Sequence, residues 1–308
     1  MGSTRSRRDA VDGLLLLNKP AGLSSNQALQ RVKRLLNAKK AGHTGSLDPA
    51  ATGMLPLCFG EATKVCQFLL DADKTYRVTA KLGTATDTGD ADGREIERRE
   101  VPTLSAAAWD ELLQGFVGET LQIPPMYSAL KKDGKRLYEF ARKGITVDRQ
   151  ARRIRIEAIE LLETAAGRLV FRTRCSKGTY IRALVEDIAR AAGTVAHTAS
   201  LHREEVGDFQ AADMLDLGTL ELAAERGGGL QQHLIAPDRA LARLPSVTLD
   251  DGDAARFCSG MASAGIGSGG PGLVRAYRVD ARFLGVGEVS EDGSLTPRRV
   301  FHLGEKNP

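Results

Sequence analysis

The chain of 308 residues carries 43 Lys and Arg against 39 Asp and Glu, a formal net charge of +4, so overall charge alone does not single out a polyanionic partner. Apolar residues make up 42% and charged residues 27%, the balance of a globular chain with room for one large domain, or a large and a small one. No segment approaches the roughly 18 consecutive apolar residues of a membrane span, and Cys58, Cys66, Cys175 and Cys258 form neither a CxxC pair nor a zinc-ligand spacing with the five histidines. Reduced cysteines, a cytoplasmic location and no bound metal are the expectation.

Residues 1 to about 10 are basic and polar and read as a loose tail. The apolar run Leu14 to Leu17 stops at Asn18-Lys19-Pro20, too short for a signal-peptide core. Ser24 and Gln27 have capping-box spacing, and Leu29, Val32, Leu35 and Leu36 then recur at helical intervals, predicting a helix from about Ser24. Its basic residues Arg31, Lys33 and Arg34, with Lys39 and Lys40 beyond, read as a solvated face. From Ala41 to Lys64 four glycines and two prolines predict mostly turns and loop. Inside it, Asp48 precedes Pro49, as a helix N-cap would precede a proline in the first turn.

From Lys74 the pattern changes to alternation. Tyr76, Val78, Ala80 and Leu82 interleave with Thr75, Arg77, Thr79 and Lys81, the signature of a half-buried strand. The acidic run Asp87 to Gly93 fails as a calcium loop: aligned on Gly93, it puts Thr88 at the first ligand position and Arg99 where a bidentate glutamate is needed. It reads as an acidic turn. Trp109, Leu112, Leu113 and Phe116 predict a helix. Strands are predicted over 153–157 and 169–175, and Ile181, Leu184, Val185 and Ile188 form the stripe of a helix that stops near Gly193. Glycine punctuation at 227–229 and 265–272 borders short strands expected at 273–277, 283–289 and 300–303, with a turn at 290–294. Strands and helices mix without βαβ regularity, so the class is α+β.

Between Pro124 and Arg155 positive charge is concentrated. Lys131, Lys132, Lys135, Arg136, Arg142, Lys143, Arg149, Arg152, Arg153 and Arg155 face only Asp133, Glu139 and Asp148, with Tyr127, Tyr138 and Phe140 interspersed. Cations for phosphates and rings for exposed bases suit single-stranded or looped RNA; a charged surface hairpin is the alternative. No P-loop, no GxGxxG with a partner acid and no GxSxG occurs. Taken singly, His43 reads as a turn residue, Tyr76 as a packed strand aromatic and Arg182 as a partner of Glu186 one helical turn on.

The segment GHTGSLDPAATGMLPLCFGEATK closely resembles the catalytic segment of the TruB family, which converts uridine 55 of tRNA to pseudouridine. Four more blocks match in order: LLLLNKPAGLSSNQAL, KTYRVTAKLGTATDTGDADG, IPPMYSALKKDGKRLYEFARKGI and CSKGTYIRALVEDI. The likeness runs from about Leu14 to Gly207, with a weaker one at Leu295 to Arg299. It implies a pseudouridine synthase fold with a mixed, largely antiparallel sheet flanked by helices over residues 11–245, a thumb-like RNA-binding insertion at 124–152, and a small PUA-like module at 246–308.

By the same resemblance Asp48 is the essential carboxylate, either as nucleophile or as base. Arg182 pairs with it, and that pair would keep Asp48 charged. Tyr76 stacks on the uracil and is a candidate base for the C5 proton. Tyr180 and Leu201 would line the pocket, and His43 would fill the space left by a flipped base. Lys19 would lie beneath the site, and Asp90, Lys131, Lys132 and Arg142 would belong to RNA-contacting parts. The implied enzyme is an isomerase, an intramolecular transferase acting as a monomer on the tRNA T-stem-loop, with no cofactor, membrane or obligatory protein partner. One departure stands out: His202 precedes Arg203 where the family often has arginine immediately after the leucine. The rival readings are a non-catalytic RNA-binding protein, a guide-RNA-dependent synthase and a two-carboxylate nucleoside glycosidase.

Overall fold

The computed structural model describes residues 8–265 and 270–303. Residues 1–7 of the expected tail and 266–269 of the expected glycine punctuation lie outside the described residues. Asp9 exchanges backbone hydrogen bonds with Asn37 and Lys39.

The centre of the molecule is a mixed nine-stranded sheet. From one edge its strands are Leu215–Asp216, Gly13–Lys19, Thr52–Phe59, Ala196–Val206, Lys74–Leu82, Arg168–Cys175, Arg152–Ala165 and Gly118–Gln122, with Ala41–His43 also paired to Thr52–Phe59. Leu215–Asp216 runs parallel to Gly13–Lys19, and Thr52–Phe59 meets Ala196–Val206 in parallel; the other pairings are antiparallel. The alternating segment from Lys74 is thus the strand it was expected to be.

Two central strands carry no such signal. Gly13–Lys19 and Thr52–Phe59 are buried almost throughout, on both faces, so their sequences do not alternate. Thr52–Phe59 falls in the segment expected to be mostly loop, and it tolerates Pro56 for a local reason. The ladder to Ala196–Val206 touches only Thr52 and Gly53, and Ala41–His43 pairs only from Leu57 onward. The missing N–H of Pro56 therefore faces no strand partner, and its carbonyl accepts from Thr44 N at 3.1 Å.

Helix Ser25–Leu35 begins with the expected capping box: Gln27 N donates to Ser24 Oγ at 3.2 Å, and Ser24 N to Gln27 Oε1 at 2.8 Å. With Leu217–Glu225 it covers Leu15, Leu17, Leu55 and Leu57. Helices Ala106–Gln114 and Ile181–Ala191 cover Val78, Ala80 and Phe171 further along the sheet. No helix among the described residues is long and apolar enough to cross a membrane.

The last part of the chain is a four-stranded sheet, in the order Ser246–Leu249, Gly272–Arg278, Phe283–Val289 and Leu295–Val300, with helix Asp251–Cys258 against it. The strand expected at 300–303 lies earlier, at Leu295–Val300. Pro297 disguised it, and is accommodated at a register shift on an edge strand. Phe283, Val286 and Phe301 join Leu14, Leu16, Met54 and Cys58 in one apolar cluster. Lys64 Nζ adds a 2.6 Å bond to the Val300 carbonyl, and His302 N donates to Glu61 Oε2 at 2.9 Å.

Candidate active site

Residues 44–51 form a loop between strands Ala41–His43 and Thr52–Phe59, seated on the start of helix Ser25–Leu35. Ser25 Oγ, buried, accepts from Leu47 N at 2.8 Å and donates to the Leu47 carbonyl at 3.1 Å. Pro49 O accepts from Gly22 N at 2.9 Å and Lys19 Nζ at 3.3 Å. The Lys19 ammonium also donates to the carbonyls of Pro20 at 2.9 Å and Leu23 at 2.7 Å. Asp48 is not a helix N-cap: Ala51 N closes a turn onto its carbonyl at 3.1 Å and the chain then enters a strand. Its carboxylate is therefore free for other work.

That carboxylate meets Arg182. Arg182 Nε lies 3.0 Å from Asp48 Oδ2 and 3.9 Å from Asp90 Oδ2. Its two remaining nitrogens donate to the carbonyls of Thr88 at 2.8 Å and Tyr127 at 2.7 Å. The partner is thus Asp48 and not Glu186, because Arg182 sits on the first turn of its helix and reaches away from it. The arginine side chain is 7% exposed and the Asp48 side chain 45%, so the cation forms the wall and the carboxylate opens into a cleft. Burial at the foot of that cleft raises the Asp48 pKa; Arg182 opposes the rise and Asp90 adds to it. The ion pair exists as expected, but it does not outweigh the loss of water around the carboxylate.

The cleft encloses about 680 Å³, and Asp48, Tyr76, Tyr180, Arg182 and Leu201 all line it. Tyr76 comes from the strand Lys74–Leu82 and is almost fully buried, and burial pushes its phenol pKa up. Tyr180 immediately precedes helix Ile181–Ala191, its backbone held by reciprocal bonds to Gln122 of 2.8 and 3.1 Å. Asp90, in the acidic turn, accepts from Thr88 Oγ1 at 2.6 Å and also faces the cleft. Arg142 and Tyr138 reach the same cleft from the basic segment, the guanidinium 5.4 Å from the ring centroid.

Other expected residues stand apart from these. Lys19 is fully buried under the loop, with its three carbonyl partners turned inward, and burial lowers its pKa to about 8. Lys131 and Lys132 line a separate recess with Arg149 and Arg152, where Lys132 Nζ donates to the Asp148 carbonyl at 2.8 Å. His43 ends its short strand half-buried, beyond the residues that line the cleft; burial and then Arg203 lower its pKa. His202 turns away from the cleft to place Nδ1 2.8 Å from Thr52 Oγ1.

Sequence reasoning missed two buried cations in the cleft wall. Lys74 Nζ donates to the carbonyls of Leu69, Leu70 and Ala72 at 3.1, 2.7 and 2.6 Å, and burial brings its pKa to about 8. Arg203 pairs in register with Tyr76 across the sheet, and lies two residues past Leu201 on the same face. That alternation was the available signal. The strand crossing is so close that a Cβ on Gly53 would stand 2.2 Å from the Arg203 carbonyl oxygen.

Comparison with known proteins identifies the family. Residues 33–181 match the TruB family pseudouridylate synthase N-terminal domain, and residues 245–301 the C-terminal domain of pseudouridine synthase II TruB. A tRNA pseudouridine synthase B of Pseudomonas putida is 48% identical over 303 residues, covering 98% of this chain and 99% of its own. The protein of the same name from Azoarcus sp. is 50% identical over 295 residues, 96% of each chain. Among solved structures, a Cbf5-Nop10-Gar1 complex superposes with a TM-score of 0.74 at 26% identity, over 94% of this chain and 85% of the other. The archaeal box H/ACA sRNP Nop10-Cbf5 complex gives 0.72 at 24%, over 95% and 87%. With near-complete relatives at this level of identity, and a carboxylate, arginine and tyrosine gathered in one cleft, the chain belongs to the TruB family of pseudouridine synthases.

Proposed function

We propose that the chain isomerises uridine 55 in the T-loop of tRNA to pseudouridine, with Asp48 as the catalytic carboxylate. The observation that carries the reading is the Asp48–Arg182 pair at the foot of a cleft that also holds Tyr76 and Leu201. Isomerisation breaks the bond from ribose C1′ to N1, turns the uracil and joins C1′ to C5. A carboxylate that can add to an electrophilic carbon or remove a ribose proton, and then leave, meets that need. The raised pKa of Asp48 suits both roles, since a more basic carboxylate is the better base and nucleophile.

The target base is stacked in the folded T-loop and has to be turned out before it can enter the cleft. Tyr76 and Leu201 provide faces for the uracil. Arg142 and the basic segment 124–152 bind the RNA backbone as a thumb, and the segment 246–308, which contains the four-stranded sheet, adds a PUA-like RNA-binding module. The chain works as a monomer without a protein partner, in the cytoplasm where tRNA is processed. The test is direct: an unmodified T-stem-loop RNA is incubated with the purified protein and no added cofactor, and pseudouridine is mapped by carbodiimide labelling and primer extension. Product from wild type and none from Asp48→Asn is the expected result. Absence of product from a wild-type protein that binds the RNA tightly would leave the non-catalytic RNA-binding reading.

A further inference from the structure

Arg203 is among the largest fully buried side chains of the protein. Its Nε donates to the Met54 carbonyl at 2.6 Å, in the strand that follows the Asp48 loop, and Nη2 to the Gly45 carbonyl at 3.2 Å, at the start of that loop. Arg203 also stands directly opposite Tyr76 across the sheet, both side chains line the cleft, and its charge favours the Tyr76 phenolate. Among the described residues no Asp or Glu forms an ion pair with it. A buried charge with no carboxylate partner is costly, so its contacts have to account for its place. Its position ties together two things: the backbone around the loop that carries Asp48 and the strand position of Tyr76.

We propose that Arg203 is a positioning residue for removal of the C5 proton, holding the Tyr76 oxygen at a fixed place relative to the Asp48 loop and keeping positive charge against its phenolate. The inference rests on the reading of the chain as a pseudouridine synthase. In the step concerned, uracil is already joined to C1′ through C5. The C5–H bond breaks and its electron pair forms the C5–C6 double bond. The pair displaced from the C6–N1 double bond binds a proton from solvent at N1, and the C5 proton joins the Tyr76 phenolate, which earlier gave its own proton to solvent. Burial opposes formation of that phenolate, and Arg203 is the largest influence acting the other way.

The experiment uses two T-stem-loop RNAs, with protium or deuterium at C5 of the target uridine, under single turnover. Wild type, Arg203→Gln and Arg203→Lys are compared for RNA affinity, rate and isotope effect. The expected result is unchanged RNA affinity, a rate loss on the order of 100-fold in Arg203→Gln, and an isotope effect larger than that of wild type. Arg203→Lys, which keeps the charge, recovers part of the rate. A rate loss with the wild-type isotope effect overturns the proposal, since the arginine would then only hold the loop; so does an unchanged rate. If Arg203→Gln fails to fold, Arg203→Lys decides, and its isotope effect has to exceed that of wild type. Failure of the wild-type protein to form pseudouridine would instead strike the functional reading itself.

Discussion

Arg182 donates to the Tyr127 carbonyl at 2.7 Å while its Nε stays 3.0 Å from the Asp48 carboxylate. Tyr127 lies at the start of the basic segment 124–152, so one guanidinium joins the Asp48 carboxylate to the base of that segment. A lysine cannot serve two carbonyls and a carboxylate in this planar arrangement. Arg182→Lys should therefore lower the single-turnover rate by roughly 10²–10³, with little change in RNA affinity. Equal losses in rate and affinity would show that the residue acts mainly on binding.

The raised pKa of Asp48 predicts a stability signature. In the folded state the carboxyl holds its proton above its ordinary value of 3.8, so folding binds protons between that value and the raised one. The charged form is thus disfavoured by folding, and stability is lost as pH rises through this window. Asp48→Asn, inactive, should melt above wild type at pH 7, and the gap should close as pH falls below the window. Thermal melts at several pH values check this, and a variant that melts lower at pH 7 would contradict it.

Lys19 is sealed from solvent, with its ammonium on three carbonyls. Lys19→Ala removes the donor from the Pro20 and Leu23 carbonyls, while Pro49 O keeps its bond from Gly22 N, and should destabilise the fold by about 1–3 kcal/mol for each carbonyl left unsatisfied. RNA affinity of the folded fraction should not change. A tenfold loss of affinity without a fall in Tm would mean that Lys19 reaches the RNA.

Lys131 and Lys135 are exposed on a short hairpin of the basic segment, while Lys132 is held by the Asp148 carbonyl and Arg136 packs near the Tyr138 ring. Replacing all four with Ala should weaken RNA binding and flatten its salt dependence, by about 0.7 in log–log slope for each single-strand phosphate that is no longer neutralised. An unchanged slope would mean that this hairpin does not touch phosphate.

Much of the fold and site was legible in the sequence, for physical reasons that differ from residue to residue. The Ser24–Gln27 box, the alternation after Lys74 and the stripe from Ile181 are local patterns, and local patterns survive into structure. Asp48, Tyr76 and Arg182 stood out through motif resemblance, and the fold brings all three to one cleft. Thr52–Phe59 was hidden because a strand covered on both faces and broken by Gly53 and Pro56 resembles a loop. Arg203 was hidden for another reason. Its role depends on a cross-strand partner more than a hundred residues away, and on carbonyls that no side-chain pattern reports.

Phe283, Val286 and Phe301 complete the apolar layer beneath Leu14, Leu16, Met54 and Cys58. All four lie on two neighbouring strands, Gly13–Lys19 and Thr52–Phe59, and the second begins where the loop that carries Asp48 ends, so the terminal sheet acts as a foundation slab for the site. A chain cut before residue 246 would present that layer to water and to other copies of itself. Loss of the terminal sheet would thus be felt first as aggregation, before any defect in RNA recognition could be measured.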